Sequence, residues 1–473
     1  MVTEHGVYFD YFRHQVTNNL AGFYTTNIWS HLVGGECLQE DCIQHSVLAI
    51  GALMRSMSEG LPSSGEEDHN TVSQMLAFGK VAEQHHRAAL RHYGKALNLL
   101  RQRIQCMVRS TPGAAVTTTL LLVVFELLQG RPDTAHSLVS LAIPLLEGRS
   151  PLFQSKHAPP AKSDPDPAFR DMEWVLPTIS NMHRLSHSLR FPHETINFCT
   201  TETNFDFPDP GCDSMSKLFT CWGRFFTLSI IFFRQSIWYE LEHMSADVPP
   251  SIALQQEMLL SHLQRWKHIL ADCAKRLQVE AAGKSALRIV QVHWLLLEIM
   301  ISCCLDRAQL MFDRFEEEFS RLIALCVDLI QDPSCCRRPT SVLLGEGLIL
   351  PLSITIRFCR NHNIRMRAIE AMNLIPGSIV AWDLRDMLDG LLGAVLLEEL
   401  GRLSNGFVPP ESRWVWLEGG QSKGGDQFVK VYQRLMPKEK GEIVFKELRV
   451  DTDLLPEICA VAGCTGDHSR AEV

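Results

Sequence analysis

Three aspartates in the stretch WDLRDMLDG, Asp383, Asp386 and Asp389, stand three residues apart. On a helix that spacing gathers carboxylates roughly on one side. Such a row could hold a divalent cation against a diphosphate, as aspartate-rich helices do in terpene-synthase-like enzymes. The pattern here is DxxDxxD rather than the tighter DDxxD, and no second metal motif follows. A solvated helix face is the simpler reading.

His183 and His187 lie four apart, the spacing of a zinc-binding pair on one helix face. The residues between them are Arg-Leu-Ser, without the glutamate a metalloprotease uses as its base. His85 and His86 are adjacent and so diverge on a helix. The chain has 15 cysteines. Zinc sites commonly use Cys-x-x-Cys pairs, and none occurs. The nearest approaches are Cys37/Cys42, Cys459/Cys464 and the adjacent pairs Cys303/Cys304 and Cys335/Cys336. Cys106, Cys221, Cys273, Cys303, Cys304, Cys326 and Cys359 instead sit in apolar helical patterns, where a free thiol packs as a small hydrophobe.

No G-x-S-x-G or phosphate-binding loop is present, and Gly345 with Gly347 supplies only the first half of a dinucleotide-binding motif. Trp222, Phe225, Phe226, Phe232, Phe233, Trp238 and Tyr239 would suit a ligand pocket or, more simply, a core. The residues therefore predict no catalytic, cofactor-binding or metal-binding set, no cofactor and no enzyme.

The elements that would position such residues are helical. From Lys80 to Met107, Ala89, Tyr93, Ala96, Leu97, Leu100, Ile104 and Met107 recur at three- and four-residue steps, the mark of one helix face. Ser285 to Gln331 reads the same way, through Phe312, Phe315, Phe319, Leu322 and Ile323. Ala114 to Gln129 is apolar nearly all round, which predicts a helix buried among others. Gly130 should end it and Pro132 open a second arm over Thr134–Leu146, making a helical hairpin. The runs Leu120–Phe125 and Phe225–Phe233 are shorter than the roughly 20 residues of a membrane helix. Phe428–Tyr432 and Ile443–Leu448 read as extended, next to the glycine-rich GGQSKGGD, and Cys464–Val473 as frayed. The expected fold class is all-α, a stack of antiparallel helix hairpins with a short β-like C-terminal segment. No fixed repeat period is visible. The expected divisions are 1–148, a Pro-rich linker at 149–170, a second helical part at 171–403 and an extended tail at 404–473.

Composition sets the outer limits. At 473 residues, 46% hydrophobic and 21% charged, the chain has an ordinary globular make-up. Its formal charge of −9 argues against broad, non-specific adhesion to nucleic acid. MVTEHGVYFDYFRHQ has no basic region followed by an apolar stretch, so no secretory signal is read there. A soluble intracellular protein, off the membrane, is the expectation.

Five stretches in order resemble one family. They are YFDYFRHQVTNNLAGFYTTNIWSHLV (Tyr8–Val33), CIQHSVLAIGAL (Cys42–Leu53), HHRAALRHYGKALNLLRQRI (His85–Ile104), LLLVVFELLQGRPDTAHSLVSLAIPLLE (Leu120–Glu147) and LILPLSITIRFCRNHNIRMRAIEAMNLIPGSIVAWD (Leu348–Asp383). Together they are similar to the regulatory, or middle homology, domain of fungal binuclear zinc-cluster transcription factors, over about residues 8–450. The resemblance implies a nuclear transcription regulator. Members of that family usually carry an N-terminal module with six cysteines, two zincs and a basic stretch, and this sequence has no such array. None of the family's DNA-contacting residues has a counterpart to transfer, so direct DNA binding is not expected.

Other transcription regulators or coregulators, a homo- or heterodimer partner and a small-molecule effector are the partners that fit. Control of a metabolite gene cluster is a role the resemblance suggests. A helical scaffold outside transcription, a metal-dependent enzyme built on the three aspartates, and a zinc-cluster exon upstream of Met1 are the alternatives.

Overall fold

The computed structural model describes residues 4–17, 37, 39–60, 72–105, 113–129, 131, 134–135, 137–141, 205–209, 211, 213, 215–242, 248–276, 281–332, 347–375, 384–421, 427–435, 442–449 and 458. The chain forms two compact units. The first comprises Met1–Ser180, Arg338–Glu346 and Val380–Trp382; the second comprises Asn181–Arg337, Gly347–Ile379 and Asp383–Val473.

In the first unit the described helices are α1 (Glu4–Tyr11), α2 (Asp41–Gly60), α3 (Val72–Gln105) and α4 (Gly113–Leu128). α1 runs into a π turn over Phe12–Val16. α2 and α3 are antiparallel, because contacts along them run in opposite chain directions. Arg103 binds Glu40, His45 meets His92, and Ser56 donates to the carbonyl of Ala82 at 2.7 Å. Ala88, Ala89 and Ala96 are buried on α3, and side chains that end at Cβ let the helix axes come close.

α1 closes on α2 at Gly51. A Cβ there would lie 2.3 Å from the carbonyl oxygen of Tyr8. Gly51→Ala should therefore cost about 1–3 kcal/mol through overpacking, read as a lower urea midpoint, although alanine is the better helix former. A midpoint at or above that of the native chain would contradict this packing.

α4 is the apolar helix anticipated at Ala114–Gln129, and Ala115 to Leu128 are all buried. Its threonines satisfy their hydroxyls within the helix, Thr118 on the carbonyl of Ala114 at 2.6 Å and Thr119 on that of Ala115 at 2.7 Å. Helical structure resumes at 134–135 and 137–141, with Ala135 and Val139 buried. Gly130 and Pro132, read as the turn, lie outside the described residues, as does the proline-rich segment 149–170.

The second unit is built from α5 (Met215–Glu242), α6 (Pro250–Arg276), α7 (Ala281–Cys303), α8 (Glu316–Gln331), α9 (Ile349–Phe358), α10 (His362–Asn373) and α11 (Leu384–Leu400). α7 is the axis of this core and packs on α5, α6, α8 and α9. The indole N–H of Trp294 on α7 donates to the carbonyl of Leu263 on α6 at 2.9 Å. α7 also holds a membrane-length apolar window, Ala286–Cys303, which is neither of the two runs weighed above. As 78% of that window is buried inside the fold, core packing accounts for its apolarity.

The periodicity from Ser285 to Gln331 does not make one helix. α7 stops at Cys303, a 3₁₀ turn occupies Met311–Phe315, and α8 begins at Glu316. Neither glycine nor proline marks the break. Asp306 makes it: its carboxylate accepts from the backbone N–H groups of Ala308 at 3.1 Å and Met311 at 2.5 Å. Gln309 takes φ +56°, a left-handed conformation that costs a side-chain-bearing residue energy.

The chain closes in a three-stranded antiparallel sheet of order β1-β2-β3, from β1 (Val415–Gln421), β2 (Gln427–Leu435) and β3 (Glu442–Arg449). β2 and β3 contain the two segments read as extended. β1 went unread because it runs into the glycines of GGQSKGGD. α11 packs against β1 and β2. The fold is thus helical with a β-sheet tail, in keeping with the all-α expectation and its β-like C-terminal segment.

Candidate functional site

The densest buried chemistry in the second unit is an ionic cluster that sequence reasoning missed. Glu398 and Glu399 sit on the core side of α11, 1% and 4% exposed. Glu398 accepts from the guanidinium groups of Arg360 at 2.9 Å and Arg365 at 2.5 Å, and from the backbone N–H of Trp414 at 3.0 Å. Glu399 accepts two bonds from Arg402, each 2.6 Å, with Arg365 3.5 Å and His362 3.6 Å away. Arg413 makes a bidentate pair with Asp313 and also donates to the carbonyl of Gln309. Arg360 reaches the side chain of the same Gln309 at 2.6 Å. The two arginines thus hold the left-handed turn from both its carbonyl and its side chain.

Burial would raise the Glu398 carboxyl, but Arg360 and Arg365 outweigh it and hold it below the usual range. The same opposition, with His362 and Arg402 prevailing over burial, holds Glu399 down at about 2. Both carboxylates are charged, paired acceptors, and their chemistry is architectural: they lock the loop after α11 and the entry to β1 onto α10 and the α7–α8 turn. The readable signal was polarity out of place, two glutamates inside the apolar run AVLLEEL.

A second cluster is aromatic. Trp222 and Phe225 on α5 meet Trp266 on α6, the two indoles edge to face at 5.1 Å. Phe205, Phe207 and His262 complete the group. Phe226 stacks on His293 of α7 at 4.7 Å. Burial pushes the His293 imidazole down to about 4. A base whose folded pKa is depressed adds stability above its unfolded value near 6.5 and loses it as pH falls through the folded value. Stability should therefore decline from about pH 6.5 toward pH 4, by up to about 3 kcal/mol from this group. The decline should be shallower in His293→Gln, with urea midpoints across that range as the measurement.

In the first unit, the hydroxyl of Tyr93 donates to Glu126 within α4, and the Tyr93 ring stacks on Phe125 at 4.4 Å. Burial first, then the Glu126 carboxylate, drives the phenol well above its ordinary range.

The residues singled out for chemistry fare as follows. Asp389 is half-buried on α11, Asp386 lies on the same helix, and Asp383 is outside the described residues. His183, His187, Cys335, Cys336, Cys459 and Cys464 are outside them too. His85 pairs with Tyr8 at 2.9 Å. Cys37, Cys42, Cys221, Cys273, Cys303, Cys304, Cys326 and Cys359 are buried. Burial pushes Cys303 and Cys326 far up and Cys359 to about 11, which keeps these thiols protonated and poor as nucleophiles or metal ligands. Trp222, Phe225, Phe226, Phe232 and Phe233 are core residues of α5. Among the described residues no group of three or more His, Cys, Asp or Glu side chains is gathered for a metal ion.

A family model described as the fungal specific transcription factor domain matches residues 7–354. The chain belongs to this family. It is accordingly a transcription regulator, and the match ends within α9, just before the arginines of the ionic cluster. That cluster ties Gln309 and Asp313, inside the matched span, to Arg360, Arg413 and the glutamates of α11 beyond it. No curated protein and no solved structure matches the chain.

Proposed function

We propose that this fungal transcription factor domain regulates transcription in the nucleus through other regulators or coregulators, without zinc-cluster contacts to DNA from this chain. The target genes are those of a metabolite biosynthetic cluster. The family match over residues 7–354 carries the reading. The acidic balance of −9 favours recruitment by a partner over broad adhesion to DNA by this chain.

The test is chromatin immunoprecipitation of the tagged chain, paired with transcript profiling after deletion. Nuclear signal at a discrete set of promoters, with altered transcripts from those genes, is the expected result. Purified chain that binds a specific DNA sequence unaided would overturn the recruitment part. Exclusion from nuclei with unchanged transcripts would favour a cytoplasmic scaffold. A metabolic profile unchanged on deletion would remove the gene-cluster assignment alone.

A further inference from the structure

Two imidazoles meet across the α2–α3 interface of the first unit. His45 on α2 is 5% exposed, and its Nδ1 lies 2.9 Å from Nδ1 of His92 on α3. The ring centroids are 5.1 Å apart with planes inclined at 27°. That separation is close to the nitrogen–nitrogen distance plus a ring radius at each end, so the rings meet nitrogen tip to nitrogen tip along one line. This contact is a hydrogen bond only when one nitrogen carries hydrogen and the other a lone pair.

Other polar and ionisable side chains surround the pair. From α1, the Tyr8 ring stands edge-on to His92 at 6.4 Å, and its hydroxyl shares a hydrogen bond with Nδ1 of His85 on α3. From α2, Cys42 lies one turn before His45, with its sulfur 3.2 Å from the hydroxyl oxygen of Thr118 on α4. The ion pair of Arg103 with Glu40 closes the same interface further along. The Tyr8 hydroxyl both donates and accepts, so its bond forms with either tautomer of His85. The His45–His92 bond has no such freedom.

We propose that His45 and His92 form a proton-counting latch between α2 and α3. Two neutral rings in complementary tautomers make the bond, and so does one imidazolium facing one neutral ring. Two imidazolium ions set N–H against N–H with like charge, and the bond fails. The folded pair thus accepts one proton where two free histidines accept two, and the protons bind to the pair rather than to either residue. Acid opens the α2–α3 hairpin and loosens α1, which rests on both helices. The latch makes the first unit of this regulator sensitive to pH in the range where histidine titrates.

The test uses the full chain. Hydrogen exchange read by mass spectrometry, corrected for intrinsic rates, should show α2 and α3 peptides losing protection between pH 7 and pH 5 more than α4 peptides of the same unit. In His45→Gln the amide accepts from either form of His92 and cannot titrate. Its folding equilibrium should fall less steeply below pH ~6, by a factor of roughly ten per pH unit for the one proton removed. Equal pH dependence in the variant, or α2–α3 protection that does not change with pH in the native chain, would overturn the latch. The exchange measurement on the native chain decides the matter even where the variant does not fold.

Discussion

Glu398→Leu should lower the unfolding free energy by about 3–5 kcal/mol, the usual consequence of removing one partner from a buried ion pair. The leucine fills similar space, so lost volume is not the cause. Arg360, 5% exposed, would keep its charge with no carboxylate beside it, Arg365 would keep only Glu399 at 3.5 Å, and the N–H of Trp414 would lose its acceptor. Glu398→Gln keeps an acceptor and should fall between the two. Chemical denaturation with far-ultraviolet circular dichroism reads the effect, and a loss under about 1 kcal/mol would show that the arginines find other partners.

Acid should reproduce part of the damage. Glu399 is held at about 2 in the folded chain against an ordinary value near 4.5. An acid with a depressed folded value contributes stability that is present above about 4.5 and lost as pH falls through about 2. This window lies below that of His293, so the two losses come in succession on one acid titration.

How far the sequence reveals this molecule depends on which physical effect is local. α4 was legible because a helix apolar on every side can only be buried, and β2 and β3 because alternation and β-branched residues favour a pleated surface. The stop after Cys303 was not legible. It rests on Asp306 capping a turn and on Arg360 and Arg413 reaching Gln309 from positions 51 and 104 residues away along the chain. No periodicity in a window of ordinary length carries that information. The glutamates of α11 were hidden for a related reason: a charge in an apolar run marks either an exposed edge or a buried pair, and only the partners distinguish them.

The aspartates of WDLRDMLDG were the most visible candidates, yet the buried charge chemistry begins nine residues after Asp389, at Glu398 and Glu399. The histidine contact between α2 and α3 shows the same limit, since nothing in the spacing of His45 and His92 brings two imidazole nitrogens together.

The attachment of the sheet to the helices makes the second strong prediction. Gly390 on α11 faces the indole of Trp416 on β1, and a Cβ there would lie 2.3 Å from the ring. Trp416 is 2% exposed and lies 5.6 Å from the Arg357 guanidinium across its face. A register shift between Trp416 and Glu418 bulges β1 next to this contact. Gly390→Ala should push the indole away and cost at least about 3 kcal/mol, the upper end for overpacking. Trp416→Ala should cost about 3–5 kcal/mol through the cavity it leaves.

The decisive measurement is the double variant. With the indole gone, the three atoms nearest to a Cβ at 390 are removed, and alanine gains about 1 kcal/mol of helix propensity over glycine. The effect of Gly390→Ala should therefore change sign, from strongly destabilising in the native chain to neutral or stabilising beside Trp416→Ala. A coupling of several kcal/mol would establish the glycine–tryptophan contact as the joint that seats β1 on α11. Additive losses would mean that the sheet is held by the arginine cluster alone, and then Glu398→Leu should release it as well.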